Sequence, residues 1–373
     1  MKHLALVALV VAVVPAACQQ TAGGGRQGGG GQTTQRAPVV MDSARARLLY
    51  VSKDPKDLPT CNCERDMAAK RATDSTFAAR SQGVMEFRKV TYKSRVDGLE
   101  IPAYVFAPLQ KRGARGHAAM VWVHGGVHGD MTTLYFPFIR EAIQRGYVII
   151  TPEYRGSTGY GEAFYKAIDY GGKEVDDAIS AVDYLKTLPY VDMERVGMMG
   201  WSHGGFITAH TLFRPAPEFK AGAAIVPVTN LFTRLSMKSP SYTRNFAASA
   251  GGIGMPFENR EEYIRRSPVF HAKNLQVPIL VHVATNDDDV NFEEDQQMVY
   301  TLMALKPDLA ETKIYVDPAP GRSSRGHTFS RRVNPQTLER EDSPDQIDSW
   351  NRTWAFFEKH LNPAKGATAT PRQ

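Results

Sequence analysis

Cysteine is scarce in this chain of 373 residues, occurring only at Cys18, Cys61 and Cys63. That excludes a fold stapled by disulfides, and Cys61-Asn62-Cys63 is only half of a paired zinc-ligand set. The pair reads as a local disulfide or two idle thiols without chemistry of its own. Long apolar runs are also missing: Leu4 to Val14 falls short of the ~20 residues a membrane-spanning helix needs. No internal repeat of ~20–50 residues is visible, which excludes propellers and solenoids. Basic tracts are absent as well. The charge balance is +6, from 45 Lys+Arg against 39 Asp+Glu, but adjacent basic residues come in pairs such as Arg265-Arg266 and Arg331-Arg332. Without a clustered patch, no nucleic-acid partner is expected.

What is present begins with a segment unlike the rest. Lys2 and His3 precede the Leu4–Val14 run, which has the size of a signal-peptide core, and Pro15-Ala16-Ala17-Cys18 follows it. Small residues before a cysteine resemble the lipobox of bacterial lipoproteins. That resemblance implies a signal at 1–17, lipid on Cys18, export, and anchorage to a membrane of the bacterial envelope, periplasmic or outer. A plain secretory signal cleaved after Ala17 is the alternative. Residues 18–40 are rich in Gly, Gln and Thr and read as a flexible tether; 41–83 read as an N-terminal arm, 84–363 as the folded domain and 364–373 as a tail.

From Val84 onward strands and helices alternate. Met85 to Tyr92 and Leu99 to Ala107, separated by Asp97-Gly98, predict an opening antiparallel hairpin. Strands are expected at Ala118–Val123, Tyr147–Thr151, Val196–Met199, Ala221–Val226, Ile279–Ala284 and Thr312–Val316. Helices are expected at Tyr135–Arg145, around Val175, Ala178, Ile179, Val182 and Leu185, from Ser202, at Glu293–Leu305 and at Pro344–Leu361, with an irregular stretch from Pro227 to Pro268. This order predicts an α/β fold, a mostly parallel sheet covered by helices on both faces.

Gly200-Trp201-Ser202-His203-Gly204 fits G-x-S-x-G between a predicted strand and a predicted helix, the setting of a nucleophile elbow. Ser202 is therefore the candidate nucleophile. A serine hydroxyl needs a base, and the base needs a carboxylate to orient it. In strand–turn–helix hydrolases the acid and then the histidine follow the serine along the chain. Of the later histidines, His327 follows a strand, whereas His360 sits near the end of the last helix, so His327 is the candidate base. The loop after Ile279–Ala284 offers Asp287, Asp288 and Asp289, although three adjacent aspartates also suit a solvated or cation-binding loop. The oxyanion donors would be the backbone N–H of His203 and, from the His124-Gly125-Gly126 loop, that of Gly126. His124 and His128 lack a third ligand and read as loop-packing groups. Gly156 to Gly161 lacks the lysine of a phosphate loop and reads as a tight connection, so no cofactor or metal is expected.

Four segments together resemble the catalytic domain of the prolyl oligopeptidase family of serine peptidases: Val123-His124-Gly125-Gly126, Tyr154 to Gly161, Gly200 to Gly205, and Gly326-His327. The resemblance implies an α/β-hydrolase fold and a triad of Ser202, an aspartate and His327. The family's acid lies three residues before a valine, which from Val290 gives Asp287, with Asp288 as the second candidate. It also puts the substrate pocket at Val228, Leu231 and Val290. Aromatics that line a proline-selective pocket are not matched, because Pro227-Val228 is followed by Leu231, Phe232 and Arg234. The expectation is an acyl-enzyme peptidase acting on a peptide or small acyl substrate. A carboxylesterase, or a non-catalytic binding lipoprotein, are the rival readings.

Overall fold

A computed structural model of the protein describes residues 60–113, 115–215, 217–239, 242, 243, 246, 253–321 and 325–362. The signal, the tether, Cys18 and the 364–373 tail lie outside the described residues. Eight strands form one sheet: β1 (Glu86–Lys93), β2 (Glu100–Ala107), β3 (His117–Val123), β4 (Val148–Pro152), β5 (Val191–Trp201), β6 (Ala221–Ile225), β7 (Ile279–Ala284) and β8 (Ala310–Tyr315). Their order across the sheet is β1-β2-β4-β3-β5-β6-β7-β8. The β1–β2 and β2–β4 pairings are antiparallel and the rest parallel, so the mostly parallel sheet with its opening hairpin is as expected.

Strand pleating divides the core into two layers. Val105, Val121, Val148, Met198 and Val281 face one layer, which is completed by helices α4 (Lys173–Lys186), α5 (His203–Leu212) and α8 (Phe292–Leu305). Phe106, Met120, Trp122, Ile149 and Met199 face the other, packed against α2 (Phe136–Gln144) and α9 (Pro344–Leu361). Helix α9 starts as its sequence predicts: the Ser343 side chain accepts from Gln346 N, and Pro344 occupies the first turn, where its missing N–H costs nothing.

Two regions differ from the sequence expectation. The arm contains a 19-residue helix, α1 (Cys63–Ser81), that follows a Cys61–Cys63 disulfide. One large apolar side chain anchors it, Phe77, set among Phe87, Tyr104, Phe106 and Phe136. A single anchor leaves no periodic stripe to read. Among the described residues between Pro227 and Pro268 are the short helices α6 (Leu231–Met237) and α7 (Arg260–Arg265); α3 (Glu162–Lys166) is likewise a short piece after the Gly156–Gly161 turns. Among the described residues no helix is long and apolar enough to cross a membrane.

Candidate active site

Ser202 sits at the turn from β5 into α5, with φ 55° and ψ −119°. This left-handed backbone at a non-glycine residue costs on the order of 1–3 kcal/mol. Two backbone hydrogen bonds hold it there: Ser202 N donates to Ile225 O at 3.0 Å, and Phe206 N donates to Ser202 O at 2.9 Å. The flanking glycines are steric necessities. A Cβ on Gly200 would lie 2.4 Å from Gly204 C, and one on Gly204 would lie 2.2 Å from Val123 O.

Asp287 follows β7 and His327 lies in a single 3-10 turn, Gly326–Thr328, beyond β8. His327 Nδ1 is 2.8 Å from Asp287 Oδ2, and both side chains are buried. The other oxygen, Oδ1, accepts from Asp289 N at 2.9 Å and Val290 N at 2.8 Å, so the carboxylate cannot rotate away from the ring. Asp288 is exposed and makes no such contact. Asp289 approaches the opposite ring nitrogen, with Oδ2 3.5 Å from Nε2. Burial would raise its carboxyl, but His327, Arg234 and Lys238 outweigh that and hold it below the ordinary range.

Ser202, His327 and Asp289 line one cleft of about 380 Å³, together with Gly125, Gly126, Asp130, Tyr135, Trp201, Arg331 and Val333 among others. None of the contacts holding the His327 ring is to the Ser202 hydroxyl; such bonds are commonly long in unliganded sites and tighten with substrate. His203 supplies the first N–H of α5, one of the N–H groups that a helix cannot satisfy internally. Gly126, at φ +78°, lines the cleft.

Four other histidines are packing groups by their contacts. The His203 ring is fully buried without a hydrogen-bond partner, and burial pushes it down to about 3. His124 is pushed down to about 3 by burial; it stacks on Tyr154 and lies 2.9 Å from Ser157 Oγ. His128 stacks on Tyr165. His282 contacts Ser349 Oγ at 2.9 Å. Among the described residues no group of three His, Cys, Asp or Glu side chains is arranged to hold a metal ion.

The pocket expectation needs correction. Val228, Leu231 and Val290 are at most 1% exposed, belong to the core on the α5 and α8 side, and are not among the cleft-lining residues. Each follows the end of β6 or β7 and packs into the core on that side of the sheet. Sequence reasoning also missed the charges that build the cleft. Lys70 of α1 reaches Asp130 Oδ2 and Met131 O, each at 3.1 Å, and pairs with Glu153. Burial pushes Glu153 up to about 7 while Lys70 pulls it back. Nothing in the spacing of Lys70 and Glu153 announces this pair; for Arg331, a cation four residues past the candidate base was a usable signal.

A strained serine at a strand-to-helix elbow, beside a histidine–aspartate pair on a mostly parallel sheet, defines the architecture of an α/β-hydrolase. Residues 135–363 match the prolyl oligopeptidase family, and the chain belongs to it. It is 30% identical over 268 residues to the uncharacterized peptidase YuxL of Bacillus subtilis, covering 71% of this chain and 38% of that one. It is 31% identical over 186 residues to dipeptidyl aminopeptidase BIII of Pseudoxanthomonas mexicana, covering 49% and 27%. The chain thus spans well under half the length of these relatives. Its fold is like that of a Pyrococcus horikoshii acylaminoacyl peptidase, with TM-score 0.62 and 24% identity over 78% of this chain and 44% of that one.

Proposed function

We propose that the protein is a serine peptidase working through an acyl-enzyme. The observation that carries this is the 2.8 Å contact between His327 Nδ1 and Asp287 Oδ2 on the rim of the cleft that Ser202 also lines. With Nδ1–H donated to the carboxylate, Nε2 is the basic nitrogen; it takes the Ser202 proton as Oγ bonds to the scissile carbonyl carbon. The oxyanion then receives the N–H groups of His203 and Gly126, the first aided by the positive end of α5. Collapse of the tetrahedral species breaks the C–N bond, the imidazolium returns its proton to the leaving amine, and water repeats the sequence on the ester. The named relatives' peptidase descriptions support a peptide substrate over a simple ester.

Labelling by a fluorophosphonate probe tests the nucleophile: the wild type is modified and Ser202→Ala is not. An unlabelled wild type would turn the reading to a non-catalytic binder. Turnover of short peptide amides beside short acyl esters tests the substrate class, and ester-only activity would make the protein a carboxylesterase. Export and lipid attachment at Cys18 complete the proposal and rest on the small residues before that cysteine; detergent-phase partitioning of wild type against Cys18→Ala checks them.

A further inference from the structure

Three charged side chains line the cleft, and two have their partners. Asp130 is held by Lys70 at 3.1 Å, and Asp289 lies 3.4 Å from Arg234 and 3.5 Å from Lys238. Arg331 has no carboxylate partner among the described residues. Its guanidinium lies over the Trp201 ring at 5.4 Å, and Nη2 donates to His327 O at 3.3 Å. Its Nε is buried without a hydrogen-bond partner.

The position of this cation is defined by Gly125. A Cβ on Gly125 would be 3.5 Å from Arg331 Nη1 and 3.4 Å from Ser202 Cβ, so guanidinium and nucleophile flank one side-chain-free residue. Gly125 N donates to Tyr135 Oη at 3.0 Å, and the charge of Arg331 acts on the same phenol, partly offsetting the rise that burial imposes on it. The fork is therefore fixed on an aromatic face, beside the reacting serine, with donors to spare. A half-shielded cation without a counter-ion is costly unless an anion arrives, and a planar guanidinium matches a carboxylate in two-point geometry.

We propose that Arg331 is a specificity-determining residue that selects substrates bearing a carboxylate close to the scissile bond, supplied by a peptide's C-terminus or by an Asp or Glu side chain. This rests on the serine-peptidase reading and deepens it. Trp201 provides the apolar floor, and Asp289 does not repel the anion because Arg234 and Lys238 already neutralise it.

The test compares kcat/KM for matched short peptides: neutral side chains with a C-terminal amide, the same peptide as the free acid, and the amide with Glu in place of Gln beside the scissile bond. The wild type favours one of the carboxylate peptides over its neutral match by about 10- to 100-fold, the worth of one charge-assisted contact. Whichever it is identifies the source. In Arg331→Gln that ratio falls toward one, and Arg331→Lys retains part of it, because charge persists while the fork is lost. A wild-type ratio of one, or a ratio unchanged in Arg331→Gln while all substrates slow together, overturns the proposal and leaves Arg331 as a brace for the His327 carbonyl. Calorimetric binding of the same peptides to Ser202→Ala, with and without Arg331→Gln, reads the acid-over-amide preference without turnover. Fluorophosphonate labelling of the wild type separates the two readings: a labelled enzyme indifferent to carboxylates refutes the specificity alone, whereas an unlabelled one refutes the peptidase.

Discussion

The two walls of the cleft are held by different physics. The wall after β3, from His124 to Thr132, is tied down by charge: Lys70 crosses from α1 to Asp130, Met131 O and Glu153, with Lys70 and Glu153 buried. The wall made by the loops after β7 and β8 is tied down by hydrogen bonds between side chains and backbone. Asp287 accepts two N–H groups, Trp350 Nε1 donates to Ser330 O at 2.9 Å, and Arg332 N donates to Gln346 Oε1 at 2.6 Å. The first wall is vulnerable to loss of a charge and the second to loss of an orientation. The base and its carboxylate stand in the second, where a hydrogen-bonded loop fixes the orientation of the ring.

The strongest way to break this comparison is at Asp287. Asp287→Asn keeps the shape of the side chain but favours the wrong imidazole tautomer, and the equivalent change in a serine protease triad costs ~10⁴ in kcat. The expected result is a loss of that order with the unfolding midpoint close to wild type. Asp288→Asn, at an exposed position, should leave kcat within about twofold, since surface changes away from contacts have small effects. Steady-state kinetics on any turned-over ester or amide checks both, and comparable losses at the two positions would break the assignment of the acid.

Next in size is the charged wall. Lys70→Met strands a buried Glu153, and removing one partner of such a pair costs ~3–5 kcal/mol. Lys70→Met with Glu153→Leu removes both charges and should recover most of the loss. The deficit of the single variant should shrink in acid, because Glu153, already pushed up to about 7 by burial, takes a proton there and ceases to be a stranded charge. Denaturant unfolding at pH 5 and pH 8 measures this. An equal deficit at both would mean that Glu153 stays neutral whenever it is folded.

The same contrast explains what could be read in advance. Alternation and turn chemistry marked the strands to within two residues at each end except β5, which begins at Val191, five residues before the expected Val196; Val121 and Trp122 face opposite layers because pleating requires it. Ser202 and His327 could be singled out because motif and order lie along one dimension, whereas among Asp287, Asp288 and Asp289 only the family resemblance favoured Asp287. Helix α1 was hidden by having Phe77 as its one large apolar anchor, and the Lys70–Glu153 pair by an 83-residue separation that no local pattern encodes. Val228, Leu231 and Val290 were assigned to the pocket by the family resemblance, which cannot tell an apolar side chain facing substrate from one facing the core; burial separates them.

The remaining effect lies behind the hydrogen-bonded wall, and it sharpens the contrast by its sign. Asp295, in the first turn of α8, is fully buried with both carboxylate oxygens unpaired. Burial, and then the neighbouring Asp287 and Glu294, push its carboxyl well above the ordinary value. The folded protein therefore holds a proton on Asp295 that the unfolded chain releases once the pH passes the usual aspartate range of about 4. Stability from this group is complete below that range and is lost as the pH rises toward the folded value, with a slope of at most about 1.4 kcal/mol per pH unit. Asp295→Asn removes the proton uptake. Whatever its offset at pH 4, the variant should gain on the wild type between pH 4 and pH 8, and unfolding free energies at the two pH values measure that gain. A pH-independent difference would mean that Asp295 is ionised in the fold, an unpaired charge behind the wall that already holds the Asp287 carboxylate.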